Sequence, residues 1–181
     1  MNDKDISKLL SLVLRHQPEK IGITLDQNGW AQVEELLAKL QQKRMTVDLV
    51  QLKRVVETNN KQRFSFNPDQ TKIRANQGHS VLVDVGLPPA TPPEFLYHGT
   101  SVNNAAHILK DGVKKQSRLH VHLSSDLSTA LQVGSRHGKP YVFTVLSGQM
   151  HLKVISFYLS ENNVWLTDYV APAYLQEFKL S

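Results

Sequence analysis

No cysteine occurs anywhere in the 181 residues. Disulfides, zinc–thiolate centres and cysteine nucleophiles are therefore excluded, and the chain is compatible with a reducing compartment. No apolar run approaches the roughly 20 residues that a membrane-spanning helix needs. Residues 1–8 are mostly polar and lack the apolar core of a secretory signal. The expectation is a cytoplasmic protein with no membrane partner. Also missing are a Gly-x-Gly-x-x-Gly turn between a strand and a helix and a Gly-x-x-x-x-Gly-Lys-Ser/Thr loop, so neither a Rossmann dinucleotide site nor an ATP-driven kinase is supported. What is there is ordinary for a folded protein, 40% hydrophobic and 20% charged, with a net charge of +5 that favours a polyanionic partner without identifying one.

In the first half, Ile6, Leu9, Leu10, Val13 and Leu14 recur at helical spacing, with Asp3 and Asp5 near the start. Pro18 stops this helix, which puts Arg15 and His16 in its last turn, where such a pair either caps the helix or projects from a rigid support. Leu25-Asp-Gln-Asn-Gly29 reads as a turn, and Trp30 leads into a second helix with Val33, Leu36, Leu37 and Leu40 on one face. A third helix begins after Thr46, with Leu49, Leu52, Val55 and Val56 facing inward. Lys43, Arg44, Lys53, Arg54, Lys61 and Arg63 lie over its exterior and that of its neighbours, either as a solvated face or as a surface for a phosphodiester backbone. Phe64 and Phe66, a turn over residues 67–70 and a returning strand over 72–75 complete the outline of a winged-helix unit.

Residues 73–80, Ile-Arg-Ala-Asn-Gln-Gly-His-Ser, join the halves. They read either as a cleft wall or as a basic strand and turn: Arg74 offers a fork of donors, His79 can exchange a proton, and Gly78 permits close approach. Leu87-Pro-Pro-Ala-Thr-Pro-Pro93 makes a semi-rigid joint, and the chain is divided into domains 1–89 and 90–181. A strand over 95–97 is expected to end in a His98-Gly99-Thr100 turn before a helix over 103–110. Arg118, His120 and His122 alternate with apolar residues and share a strand face. Ser124 and Ser125 either contact ribose hydroxyls or cap a helix over 126–133, and Gly134-Ser-Arg136-His137-Gly138 frames another basic cluster. Strands are expected over 141–146 and 151–159, separated by a turn at Ser147-Gly148, with Tyr174, Leu175 and Phe178 closing the core. No metal site is expected, because the histidines have no acid nearer than Asp126. The fold class is α+β, with a mostly β second domain.

Taken in order, Leu14-Arg15-His16-Gln17-Pro18, Gly29-Trp30, Ile73-Arg74-Ala75-Asn76-Gln77-Gly78-His79-Ser80, Leu96-Tyr97-His98-Gly99-Thr100, His120-Val121-His122-Leu123-Ser124 and Val133-Gly134-Ser135-Arg136-His137-Gly138 resemble the tRNA/RNA 2'-phosphotransferase family of the KptA type. The resemblance spans nearly the whole chain. It implies an N-terminal winged-helix RNA lobe and a C-terminal ADP-ribosyltransferase-like lobe that consumes NAD as co-substrate and needs no metal. The partner it implies is RNA with an internal 2'-phosphate. That phosphate attacks the nicotinamide ribose, and the ribose 2''-hydroxyl then attacks phosphorus to leave 2'-OH RNA and ADP-ribose 1'',2''-cyclic phosphate. The family's catalytic quartet carries over to Arg15, His16, Arg74 and Arg136, with Gln77 and His79 beside them in substrate binding. NAD binding carries over to His98, Gly99, Thr100, His120, His122 and Ser124.

Three guanidiniums suit a dianionic phosphate and the charge that develops at phosphorus, and His16 is the titratable member. A second enzyme reading is an ADP-ribosyltransferase that caps terminal nucleic-acid phosphates, which shares the first step and stops there. The non-enzymatic reading is a winged-helix nucleic-acid-binding module. Nothing in the chain demands assembly, so a monomer is expected.

Overall fold

The first helix, α1 (Asp3–Val13), starts where the Asn2 side chain accepts the Asp5 N–H, with Asp3 and Asp5 facing the positive end of its dipole. It ends earlier than Pro18 suggests. The residue before a proline is pushed out of helical geometry, and Gln17 is non-helical at φ −139° and ψ 63°. The His16 and Gln17 N–H groups both turn back to the Leu12 carbonyl, so Arg15 and His16 stand in a turn just beyond the helix instead of in its last turn.

This computed structural model describes residues 1–178. The chain divides into two units, Met1–Gly86 and Leu87–Ser181. In the first, α1 is followed by a short strand β1 (Ala31–Gln32), helices α2 (Val33–Gln42) and α3 (Leu49–Glu57), and strands β2 (Phe64–Phe66) and β3 (Lys72–Ala75). The strands form an antiparallel sheet in the order β1-β3-β2, in which Ala31 pairs with Ile73 and Ser65 with Arg74. The apolar stripes close one core: Ile6, Leu10, Val13 and Leu14 meet Leu36, Leu40, Leu52, Val55, Phe64 and Ile73. Leu49 departs from the expected inward set. It opens α3 directly after the Asp48 cap and is 41% exposed, while Leu52 and Val55 are buried.

The second unit contains β4 (Leu96–Ser101), α4 (Val102–Asp111), β5 (Val113–Lys114), β6 (Val121–Leu123), α5 (Leu127–Gly134) and β7 (Pro140–Val145). These are followed by α6 (Ser147–Leu152), β8 (Tyr158–Leu159), β9 (Trp165–Thr167), β10 (Tyr169–Val170) and β11 (Leu175–Glu177). Its sheets are small and antiparallel, in the orders β11-β7-β4, β6-β9-β8 and β10-β5. Reciprocal backbone hydrogen bonds between Tyr97 and Ser124, at 2.7 and 2.9 Å, tie β4 to the end of β6. The proline-rich joint is fastened to this unit, because the Ala90 N–H donates to the Phe157 carbonyl and Pro89 bridges Tyr158. Buried Leu96, Val145, Met150 and Phe157 mark its core; partly buried Tyr174 and Leu175 pack against it, and Phe178 meets Tyr97 edge-on at 6.0 Å.

Three local expectations are corrected. Residues 147–152 are helix α6 and not a turn leading into a long strand; the Ser147 hydroxyl donates to the Pro93 carbonyl at 2.7 Å, buried Met150 anchors the turn, and the strand is confined to Tyr158–Leu159. Strand β6 begins at Val121, so Arg118 and His120 precede it, and the Arg118 N–H closes a turn onto the Lys115 carbonyl. His98, Gly99 and Thr100 lie inside β4 and do not form a turn. Glycine is required at 99 by packing: a Cβ there would fall 1.8 Å from the Ala130 carbonyl oxygen of α5. Together the units are a mixed α/β structure, consistent with the α+β class, and no helix among the described residues is long and apolar enough to cross a membrane.

Candidate active site

In the first unit, three separate motifs converge. The Arg15 carbonyl accepts the Ser80 and Val81 N–H groups at 2.9 and 3.3 Å, and the His16 Nδ1 lies 2.9 Å from the Ser80 hydroxyl. Arg74, on β3, lays its guanidinium over the Trp30 ring at 4.4 Å and donates to the Val85 carbonyl at 3.1 Å. A cation over an indole keeps its charge while its orientation is fixed. Residues 80–86 have little regular structure, yet they are pinned on both sides: the Asp84 N–H donates to the Gln27 carbonyl and the Asn28 amide to the Asp84 carbonyl.

The Asp26 turn that carries Trp30 is rigid for the same kind of reason. Its carboxylate accepts the Asn28 and Trp30 N–H groups at 3.0 Å and pairs with Lys72 at 3.2 Å. Burial pushes the Asp26 carboxyl up, but the hydrogen bonds from Trp30, Lys72 and Asn28 outweigh it and hold the group below the usual range. Turn, strand and loop thus orient Arg74 by tertiary contacts to Trp30 and the Val85 carbonyl.

His79 lies beneath this surface, 3% exposed. Burial first, and then the charges of Arg15, His16 and Arg74, hold its pKa down at about 4. At neutral pH it is an uncharged imidazole inside a cationic cluster. Among the described residues, its Nε2, the Asn76 Oδ1 and the Gln77 Oε1 are buried without a hydrogen-bond partner. Buried polar atoms of that kind are uncommon and are concentrated here around Arg15 and Arg74. Gln77 and His79 therefore belong to the same locality as the expected Arg15, His16 and Arg74.

In the second unit, Arg136 sits in a single 3-10 turn, Ser135–His137, at the end of α5. Burial first, and then the charge of Arg136, depress the Arg118 guanidinium. Arg118 also donates to the His122 Nδ1 at 3.0 Å, which places the His122 proton on Nε2. His98 directs Nδ1 at the His122 carbonyl, 3.3 Å away, and burial holds this imidazole below its usual pKa. His120 packs its ring on Tyr158 at 5.8 Å.

Ser124 is engaged in a local turn, donating to the Asp126 carbonyl and accepting the Asp126 N–H. The cap of α5 is Asp126 instead, whose carboxylate takes the Thr129 N–H and the Ser128 and Thr129 hydroxyls and is held at about 2 by them. Arg118 was not singled out from sequence as a site residue. The sequence signal for it is its placement two residues before His120 and four before His122.

The RNA 2'-phosphotransferase, Tpt1 / KptA family matches residues 1–169. A probable RNA 2'-phosphotransferase of Flavobacterium johnsoniae is 57% identical over 97% of this chain and 96% of its own length. Another, from Herpetosiphon aurantiacus, is 51% identical over 94% of this chain and 93% of its own. One from Fusobacterium nucleatum is 47% identical over 97% and 98%. With a family match over most of its length and relatives of this closeness, the chain belongs to the RNA 2'-phosphotransferase, Tpt1 / KptA family.

Proposed function

We propose that the protein is an NAD-dependent RNA 2'-phosphotransferase that removes an internal 2'-monophosphate, acting as a monomer in the cytoplasm. The observation that carries this reading is the gathering of Arg15, His16 and Arg74 around a buried, uncharged His79. Two guanidiniums and an imidazole brought together in this way suit a phosphate dianion. In this reading the first unit is a winged-helix RNA lobe, supported by its helices and its β2–β3 hairpin, and the second is an ADP-ribosyltransferase-like lobe.

The donors of the second unit fit a dinucleotide. Arg118 and Arg136, one within the other's field, suit a pyrophosphate or phosphate, while His98 and His122, with their tautomers fixed by their partners, offer ring nitrogens of defined character. His98, Gly99, Thr100, His120, His122 and Ser124 would hold NAD, which supplies an electrophilic ribose carbon with nicotinamide as leaving group. Arg15 and Arg74 bind and orient the RNA phosphate, and Arg74 does so from a fixed perch on Trp30. His16, its Nδ1 held beside the Ser80 hydroxyl, holds a proton at the phosphate or gives it up. Arg136 adds charge stabilisation as phosphorus is attacked.

The test is to incubate the protein with NAD and a short RNA carrying one internal 2'-phosphate and to weigh all products. Dephosphorylated RNA with an equal amount of ADP-ribose cyclic phosphate is expected. Inorganic phosphate, or loss of the RNA phosphate without NAD, overturns the reading. An ADP-ribosylated RNA end without cyclic phosphate would instead make the protein a capping enzyme.

A further inference from the structure

A groove of about 580 Å³ runs along the first unit between α1 and the segment that follows α3. Lys4 and Lys8 of α1 line one side, and Lys61 and Arg63 the other, with Ser11 and Asn59 between them. Asp3, the acid in this lining, is neutralised by a two-pronged Arg54 contact at 2.7 and 2.9 Å, so the field in the groove stays positive. Its polar groups are already ordered: the Asn59 amide donates to the Ser7 hydroxyl at 2.9 Å and its oxygen accepts from Arg63 at 3.3 Å. No aromatic ring lines it, so bases have nothing to stack on, and what it suits is a sugar–phosphate backbone.

The groove is joined to the phosphate cluster through main chain. The Arg63 carbonyl accepts from the Arg15 guanidinium at 3.5 Å and from the Asn76 N–H at 2.9 Å, and the Asn76 amide donates to the Gln62 carbonyl at 2.7 Å. The wall that carries Lys61 and Arg63 is thus the same backbone that supports Arg15 and the residues after Arg74. We infer that this groove binds the backbone of single-stranded RNA flanking the 2'-phosphate, independently of base sequence. The inference rests on the function proposed above and names a second contact surface for that substrate. It also redraws the basic face expected from sequence: Lys61 and Arg63 contribute, Arg54 is committed to Asp3, and Lys4 and Lys8 replace Lys43, Arg44 and Lys53.

The test compares the full-length protein with its Lys4→Gln/Lys8→Gln/Lys61→Gln variant, all three positions being exposed and expected to leave folding intact. Fluorescence anisotropy with an RNA of about 12 nucleotides lacking any 2'-phosphate, without NAD, should show about tenfold weaker binding at moderate salt. The log–log salt slope should be shallower by about 2, from about 0.7 per contact on a single strand. Unchanged affinity and slope overturn the inference. In turnover, the variant should match the parent on a 2'-phosphorylated dinucleotide and show a raised KM on the longer phosphorylated RNA. Equal loss on both would put these lysines at the reacting phosphate and overturn it as well. If the parent turns over neither RNA, the proposed function fails, while the anisotropy still decides the groove.

Discussion

His79 is surrounded by charges that it does not share, and that sets a pH dependence. Its folded pKa, about 4, lies below the ordinary histidine value of 6.5. The unfolded chain therefore takes up a proton between those values while the native state does not, and stability falls as pH drops through that window. The loss attributable to this residue by pH 4 is about 2–3 kcal/mol. In a Trp165→Phe background, where Trp30 fluorescence reports the first unit, His79→Gln should flatten urea-midpoint curves measured from pH 7 to pH 4. A parallel curve would mean that His79 is not the titrating group. At the same scale Trp30 acts as a positioning residue through Arg74. Trp30→Leu should lower kcat about fivefold, the worth of a partly desolvated cation–π contact of about 1 kcal/mol, with KM for NAD unmoved. Trp30→Phe should restore most of it. The residue types were legible in the sequence, since Arg74 and His79 stand in one octapeptide. The burial of His79 was not, because it comes from long-range bonds between residues 80–86 and the Arg15 and Asp26 turns.

Among the elements, the docking of α5 on β4 is the tightest constraint. A methyl at Gly99 would meet the Ala130 carbonyl, and one at Gly134 the Thr100 carbonyl at 2.5 Å, so backbone and not a mobile side chain blocks both. Gly99→Ala should cost about 3 kcal/mol or more, read as a drop in the unfolding midpoint followed by Trp165. Gly22 is the contrast: its φ is +79° and nothing lies within 4 Å. Gly22→Ala should cost only the left-handed strain, about 1–2 kcal/mol, read at Trp30. Comparable losses at the two sites would contradict the close approach. Sequence made the helices of the first unit legible because their apolar positions recur at the helical period. It failed at α6 and β6. A six-residue helix gives periodicity too little length, and its anchors, Pro93 and the core around Met150, are distant in sequence.

At the scale of the molecule, charge is distributed unevenly along the chain, with Arg15, His16 and Arg74 in the first unit and Arg118 and Arg136 in the second. The ordered motifs made the family legible from sequence, because Arg15, Arg74 and Arg136 each stand in one of them, on a turn, on β3 and on a 3-10 turn. What no motif could convey is that the charge of Arg136 reaches Arg118, which together with burial lowers the pKa of that guanidinium. Like charges within each other's field are relieved by a bound anion. Arg136→Ala should therefore lower turnover of 2'-phosphorylated RNA by about 100-fold or more, the usual loss when one charge-stabilising donor is removed. Arg136 is exposed on a short turn, so the Trp30 and Trp165 unfolding midpoints should stay where they are. Binding of unphosphorylated RNA and its salt slope should also be unaffected. Normal turnover by this variant would remove Arg136 from the reaction. Lost turnover accompanied by a lower Trp165 midpoint would mean that the turn supports the fold, and the chemistry would then rest on Arg15, His16 and Arg74 alone.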